Sequence, residues 1–324
     1  MDDVIWRGGL ENLAAAEDEI RRPIVTMERG GYRNADFMAQ MNALLQIYEG
    51  LSCRQIGSSV LGKPLYALIL GKGPEPVHIN AAVHANEWIT APLLLRFVEE
   101  LAAGRGAGHA CELDAVTLWA VPMANPDGAD LAQDGIPPGC TWAEELAAWN
   151  GGSGDFRRWK ANIRGVDLND QFPACWELER ERRGLTAPAP QDYGGPHPLS
   201  EPEAAALAEL TRAERFSRVL SLHTQGKEIY WNYRDREPRE AEAMAARLAA
   251  AAGGDGSSNG CGVGGYRAVK LSGSDAGYKD WFIDEFRRPG FTVEAGEGVN
   301  PLPVEQFDEI YKGLAPILAE FIRG

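Results

Sequence analysis

Along residues 36–48 the apolar side chains Phe37, Met41, Leu44, Leu45 and Tyr48 return at the spacing of one helix face, so this segment is expected to be a helix lying on a core. Short apolar, β-branched runs at 65–70, 77–83, 115–121, 219–222 and 291–293 predict strands. Residues 88–101 carry apolar positions at helical spacing, and the Ala- and Leu-rich stretches 201–214 and 239–252 predict further helices. Strands alternating with helices imply a single α/β domain: a mixed, mostly parallel twisted sheet covered by helices on both faces. The first stretch is polar, so residues 1–30 are set apart as an N-terminal extension and 31–324 as the domain. Two Gly-rich stretches, 133–156 with a short internal helix and 253–265, are expected to be surface loops around a cleft.

Composition supports a globular enzyme and narrows its partners. With 44% hydrophobic and 24% charged residues over 324 positions, the chain buries a large single core. Thirty-two Lys and Arg against 47 Asp and Glu leave a net charge of −15, which argues against a nucleic-acid partner because phosphate binding relies on clustered cations. No apolar run is long enough to span a bilayer, so no membrane partner is expected. The start, Met1-Asp2-Asp3-Val4-Ile5-Trp6-Arg7, lacks a basic segment followed by an apolar one. Cys53, Cys111, Cys140, Cys175 and Cys261 are odd in number and form no C-x-x-C pair. Both features point to reduced thiols in a cytoplasm. An oligomeric state is left open.

The chemistry concentrates at predicted strand ends. His84-Ala85-Asn86-Glu87 follows the strand at 77–83 and precedes the helix at 88–101, and a His and a Glu at that spacing can ligate one ion. A catalytic zinc needs a third protein ligand and an open position. Of the five histidines, His78 lies inside a strand, His109 in a Gly/Arg-rich loop and His197 between two prolines, whereas His223 closes the strand ending at Leu222. A core role for any one of these remains open from the residues alone. Glu294 closes the strand at 291–293, where a carboxylate would exchange protons with a metal-activated water, and the following Gly296 would allow close approach of substrate. In an open α/β sheet such strand ends form the ligand-binding edge.

The order of motifs then resembles the zinc carboxypeptidase (M14) family across residues 32–322. It runs His84-x-x-Glu87-Trp88, Asn125-Pro126-Asp127-Gly128, Trp159-Lys160, Gly165-Val166-Asp167-Leu168-Asn169, Ser221-Leu222-His223, Asp280-Trp281 and Thr292-Val293-Glu294. The resemblance implies a zinc carboxypeptidase-like fold and one zinc ion on His84, Glu87 and His223. It implies Glu294 as general base and acid, Lys160 as an oxyanion partner, and Asp167 as the hydrogen-bond acceptor that orients His84.

Departures from the family pattern redirect the expected substrate. The arginine that clamps a terminal carboxylate in carboxypeptidases is replaced by Asp170, the arginine of the first motif by Asn86, and no aromatic stands ahead of Asp280-Trp281 where a capping tyrosine belongs. The run from Val166 to Ala174 is similar to one branch, the γ-D-glutamyl-L-diamino acid endopeptidases of cell-wall peptides, which implies a muropeptide-like small peptide as substrate. Asn86, Asn169 and Asp170 are then the substrate-facing candidates. Asp170 would pair with the extra ammonium of diaminopimelate or lysine, or instead form an internal ion pair with Arg164 or Lys160. Other readings are a carboxypeptidase using Arg234 or Arg267 to hold a terminal carboxylate, a zinc deacylase on a small acylated amino acid, and a peptide-binding protein on an inactive scaffold.

Overall fold

A computed structural model describes residues 23–27, 30–105, 113–253 and 265–324. His109, Cys111, Cys261, the 253–265 loop apart from its two ends, and most of the 1–30 extension lie outside the described residues. Of that extension, Ile24 and Val25 donate their backbone N–H groups to the Glu99 carboxylate at 2.8 and 2.9 Å, and Val25 is fully buried.

The strands are β1 (Leu51–Ser58), β2 (Pro64–Gly71), β3 (Glu75–Ala81), β4 (Val116–Val121), β5 (Arg218–His223), β6 (Glu228–Tyr230), β7 (Arg267–Val269) and β8 (Gly290–Glu294). They form one sheet in the order β1-β2-β4-β3-β5-β8-β6-β7. The four central strands β4, β3, β5 and β8 are mutually parallel, while the pairs β1–β2, β2–β4 and β6–β8 are antiparallel. The helices are α1 (Asn34–Ile47), α2 (Thr90–Ala102), α3 (Pro126–Asp134), α4 (Ala143–Trp149), α5 (Trp176–Arg183), α6 (Pro202–Glu214), α7 (Ala241–Ala251), α8 (Tyr278–Phe286) and α9 (Phe307–Arg323).

Alternation along the strands builds two cores. Leu68, Leu70, Val77, Ile79, Leu118, Leu220, Leu222 and Phe291 pack with α1, α2, α7 and α9. Ala67, Trp119, Val121 and Val219, whose side chains point the other way, pack with α6 and α8. Every residue of β5 is buried because helices cover both of its faces.

All five strands expected from apolar runs are present. The other three strands have weak apolar signals. In β1 only Leu51 is buried, and β6 and β7 are three residues each. Helix α1 buries Phe37, Met41 and Leu44 as its periodicity requires. Helix α4 falls inside the expected 133–156 loop.

Candidate active site

Because β3, β5 and β8 run parallel and side by side, their carboxyl ends share one edge of the sheet. His223 and Glu294 are direct register partners across β5 and β8, and the chain leaves β3 three residues before His84. The turn carrying His84 is pinned from several sides. Ala124 and Asn125 donate backbone N–H groups to Ala81 O and Ala82 O, and Ala85 N–H donates to Lys160 O at 2.9 Å. Asn125 caps α3 by accepting from Gly128 N–H at 3.0 Å, and its amide donates to Val83 O at 3.1 Å and Ala161 O at 3.2 Å. A Cβ at Gly128 would lie 2.6 Å from the Asn125 side chain and 2.7 Å from Ala161 O, so the glycine of this motif is required for close packing. The Asn-Pro-Asp-Gly motif thus works as a clamp that holds the His84 turn against the Lys160 loop.

His84, Glu87 and His223 are all buried and converge on one point. His84 Nδ1 lies 2.9 Å from Glu87 Oε1, His223 Nδ1 lies 2.9 Å from Glu87 Oε2, and the two Nδ1 atoms are 3.2 Å apart. Tetrahedral zinc with bonds of about 2.0–2.1 Å separates its ligand atoms by roughly 3.3 Å, so this two-nitrogen, one-carboxylate set has the spacing and donor chemistry for zinc. The back of the cradle is also built. Asp167 Oδ1 sits 3.2 Å from His84 Nε2, and the Asp167 carboxylate is itself held by the backbone N–H groups of Asn169 and Asp192, each at 3.1 Å. With its Nε2 proton committed to Asp167, His84 presents the Nδ1 lone pair forward. The Nε2 of His223, by contrast, is buried with no hydrogen-bond partner among the described residues.

Electrostatics make the cradle a cation site. Burial works against a charged His84, yet the carboxylates of Glu87 and Asp167 push its imidazolium up to about 10. Burial likewise opposes ionisation of Glu87 and Asp167, but the histidines hold Glu87, and His84 with Lys160 hold Asp167, well below the usual carboxylate range. Negative charge therefore exceeds what two neutral imidazoles balance, and a divalent cation can take the place of the proton. Burial, reinforced by Glu87, pushes the Glu294 carboxyl up to about 8. Lys160 Nζ stands 3.7 Å from Glu87 Oε1. Burial opposes its charge, but Glu87, Asp167 and Glu294 raise its pKa and keep it a cation.

Two residues not singled out in the sequence complete the support of Glu87. Thr224 donates its backbone N–H to Glu87 Oε2 at 3.2 Å, and the Asn300 amide donates to Glu87 Oε1 at 3.4 Å while its Oδ1 accepts from Thr224 Oγ at 2.8 Å. Thr224 is detectable as the neighbour of the candidate ligand His223. Asn300 lies far along the chain in a turn with no local signal.

Several expectations around the cleft change. Gly296 has φ +72, and a Cβ there would meet Leu302 Cδ1 at 2.7 Å and Ile310 Cδ1 at 2.9 Å, so packing under the sheet end, rather than room for substrate, requires glycine. Asp170 is buried, and its partner is Arg183 on α5, with Nε 3.3 Å from Oδ2. The cations expected as its internal partners pair elsewhere, Arg164 with Glu201 and Lys160 with Glu87. Burial and the neighbouring Asp167 push the Asp170 carboxyl well above the ordinary range. Arg234 is held by Asp275 and Arg267 by Glu228, so both candidate carboxylate anchors are engaged within the protein. Asn169 Oδ1 accepts the Tyr278 backbone N–H at 3.2 Å, tying the Asn169–Asp170 corner to the start of α8. Tyr278 itself, the aromatic two positions ahead of Asp280, is fully buried with its hydroxyl 2.7 Å from Thr211 Oγ. Trp231 and Tyr233 belong to the core, and Tyr230 donates its hydroxyl to Glu228 at 2.5 Å. Of the remaining histidines, His78 is buried with Nδ1 2.9 Å from Trp119 O, and His197 Nδ1 lies 3.0 Å from Pro198 O.

Known proteins share the family pattern and the fold of this chain. The family model described as zinc carboxypeptidase (Peptidase_M14) matches residues 37–315. The chain is 44% identical over 292 residues to gamma-D-glutamyl-L-diamino acid endopeptidase 1 of Lysinibacillus sphaericus, covering 87% of this chain and 70% of that protein. It is 38% identical to the uncharacterized protein YqgT of Bacillus subtilis (strain 168), covering 89% and 76%. Among solved structures, thrombin activatable fibrinolysis inhibitor superposes with a TM-score of 0.71 at 21% identity, over 94% of this chain and 81% of that one, a likeness of fold.

Proposed function

This chain belongs to the zinc carboxypeptidase family, and we propose that it hydrolyses the amide between γ-D-glutamate and a diamino acid, meso-diaminopimelate or lysine, in cell-wall peptides. The observation that carries the chemistry is the convergence of His84 Nδ1, His223 Nδ1 and the Glu87 carboxylate beside Glu294. The bond specificity is supported by the 44% identity to the Lysinibacillus endopeptidase and by the replacement of the carboxylate-clamping arginine with a buried Asp170.

One zinc ion on these three residues would supply Lewis acidity toward the scissile carbonyl and bring the pKa of its water toward about 7. Glu294 takes the proton of the attacking water and returns it to the departing amine. Lys160 balances the negative charge growing on the carbonyl oxygen. Asp167 keeps His84 in the tautomer that offers Nδ1. Asn169 orients the leaving portion of the substrate, and Asp170 serves there through its pair with Arg183, since a buried carboxyl already facing a guanidinium is poorly placed to take a second cation.

No helix among the described residues is long and apolar enough to cross a membrane. The unpaired thiols of Cys53, Cys140 and Cys175 support the cytoplasm as the compartment in this reading. The decisive test is incubation of the purified protein with L-Ala-γ-D-Glu-meso-diaminopimelate, followed by mass. Free diaminopimelate is expected, with release abolished by a chelator, restored by zinc and lost in Glu294→Gln. A zinc-loaded protein that leaves this peptide intact would overturn the assignment.

A further inference from the structure

We propose that Arg158 and Asn86 form a subsite for the free main-chain carboxylate and N–H of the γ-linked glutamyl residue on the acyl side of the scissile bond. The inference rests on the γ-glutamyl reading above and adds how this chain would recognise the γ linkage.

A cavity of about 320 Å³ opens beside the cradle, lined by Asn86, Arg158, Lys160, Gln191, Gln225 and the 298–300 turn. Its connection to the metal ligands is direct. Asn86 adjoins Glu87 in the chain, Asn300 donates to Glu87, and Lys160 faces the same carboxylate. The lining contains no residue of the Asn169–Asp170 corner, which the family pattern assigns to the leaving portion. This cavity is therefore left for the acyl portion.

Its charge is unusual for this molecule. In a chain of net charge −15 the lining holds two cations and no acid. Lys160 faces the Glu87 carboxylate at 3.7 Å and serves the scissile carbonyl in the proposed mechanism. Arg158 is exposed, and among the described residues the one hydrogen bond of its side chain runs from Nη1 to Asn300 O at 3.1 Å, which leaves its remaining N–H groups for a ligand. Asn86 has its Oδ1 buried without a hydrogen-bond partner among the described residues, while its amide donates to Arg158 O at 3.4 Å. A buried acceptor left unsatisfied costs free energy that a ligand N–H would recover.

These features match one substrate chemistry. When a glutamyl residue is joined through its side-chain carbonyl, the main-chain carboxylate remains as a free anion a few atoms from the bond to be cut, next to an amide N–H. An α-linked glutamyl residue also carries a carboxylate three carbons from its scissile carbonyl, but its N–H stands beside that carbonyl and not beside the anion, so only the γ linkage puts carboxylate and N–H together. Arg158 can take the carboxylate in a two-point contact, and Asn86 Oδ1 can accept the neighbouring N–H.

The test compares L-Ala-γ-D-Glu-meso-diaminopimelate with the same peptide carrying a carboxamide in place of that main-chain carboxylate. The zinc-loaded wild type should prefer the carboxylate form by about 10- to 100-fold in kcat/KM, carried mainly by KM, as a charged hydrogen-bonded pair predicts. In Arg158→Gln the preference should fall to within about twofold, and Arg158→Lys should keep part of it. Zinc content and melting temperature verify that each variant folds. Equal use of both peptides by the wild type, or equal losses on both in Arg158→Gln, would overturn the subsite and leave the endopeptidase reading standing. Failure of the wild type to cut either peptide would instead remove the reading on which the subsite rests.

Discussion

The cradle and the walls of the cleft are held in place by different means. His223 and Glu294 sit on adjacent parallel strands whose register is fixed by the ladder, and His84 leaves the next strand over through a turn tied to two loops. Asn86, Arg158 and Asp170 come from connections, and each depends on one or two side-chain contacts: Asn86 on Arg158 O, Arg158 on Asn300 O, and Asp170 on Arg183. Atoms that must meet within a few tenths of an ångström are carried by the sheet, which cannot shift without breaking many bonds together. Atoms proposed to select a substrate are carried by segments that can change one contact at a time. The same contrast explains why the cradle follows the family pattern while the walls depart from it.

The sharpest way to break this comparison is at the cradle. Glu294→Gln should lower kcat by about 10²- to 10⁴-fold with KM and zinc content little changed, measured by steady-state kinetics and metal analysis. A loss of zinc in that variant would mean Glu294 is part of the cradle rather than beside it.

Next in size is the back of the cradle. Asp167→Asn should weaken zinc affinity by about 10- to 100-fold in a competition titration, because the His84 tautomer is then no longer enforced. Unchanged affinity would show that packing alone orients the ring.

A smaller effect is expected on the wall. Asp170→Asn should cost several-fold in kcat/KM equally on substrates with and without the leaving-side amine, since the carboxyl faces Arg183. A loss confined to the amine-bearing substrate would make Asp170 a direct contact and contradict its placement here.

The effect that is smallest at neutral pH lies beneath the cradle. His78 on β3 is fully buried and neutral, and burial lowers its pKa to about 3. An unfolded histidine titrates near 6.5. As pH falls below that value the unfolded chain binds a proton the folded chain refuses, so stability should decline by up to about 1.4 kcal/mol per pH unit between roughly 6.5 and 3. His78→Gln should flatten that part of the stability profile in denaturant titrations at several pH values. An unaltered slope would place the acid sensitivity in other groups.

The cradle was legible because its carriers were. A buried parallel strand has to be an apolar run, and a ligand at its end has to follow that run, so His84, Glu87, His223 and Glu294 stand out by position as well as by type. The polar strand β1 and the three-residue strand β7 escaped because they are the two edges of the sheet and need little apolar surface, and β6, inside the sheet, is too short to show a period. Gly296 misled because a glycine after the candidate carboxylate Glu294 suggests an open approach, yet Leu302 and Ile310, a short way further along the chain, fold back and fill the space.

By itself the sequence determined the layered α/β architecture, the four residues at the strand ends, and the loss of the carboxypeptidase clamp at position 170, because each is written in local periodicity or in residue type at a motif position. Only the tertiary structure decided that Asp170 faces Arg183, that Asn300 and Thr224 brace Glu87, and that Arg158 overhangs a cavity beside the cradle. Those pairings join residues from 13 to more than 200 positions apart. No local preference encodes such a contact; it arises when the sheet and its helices bring the loops together.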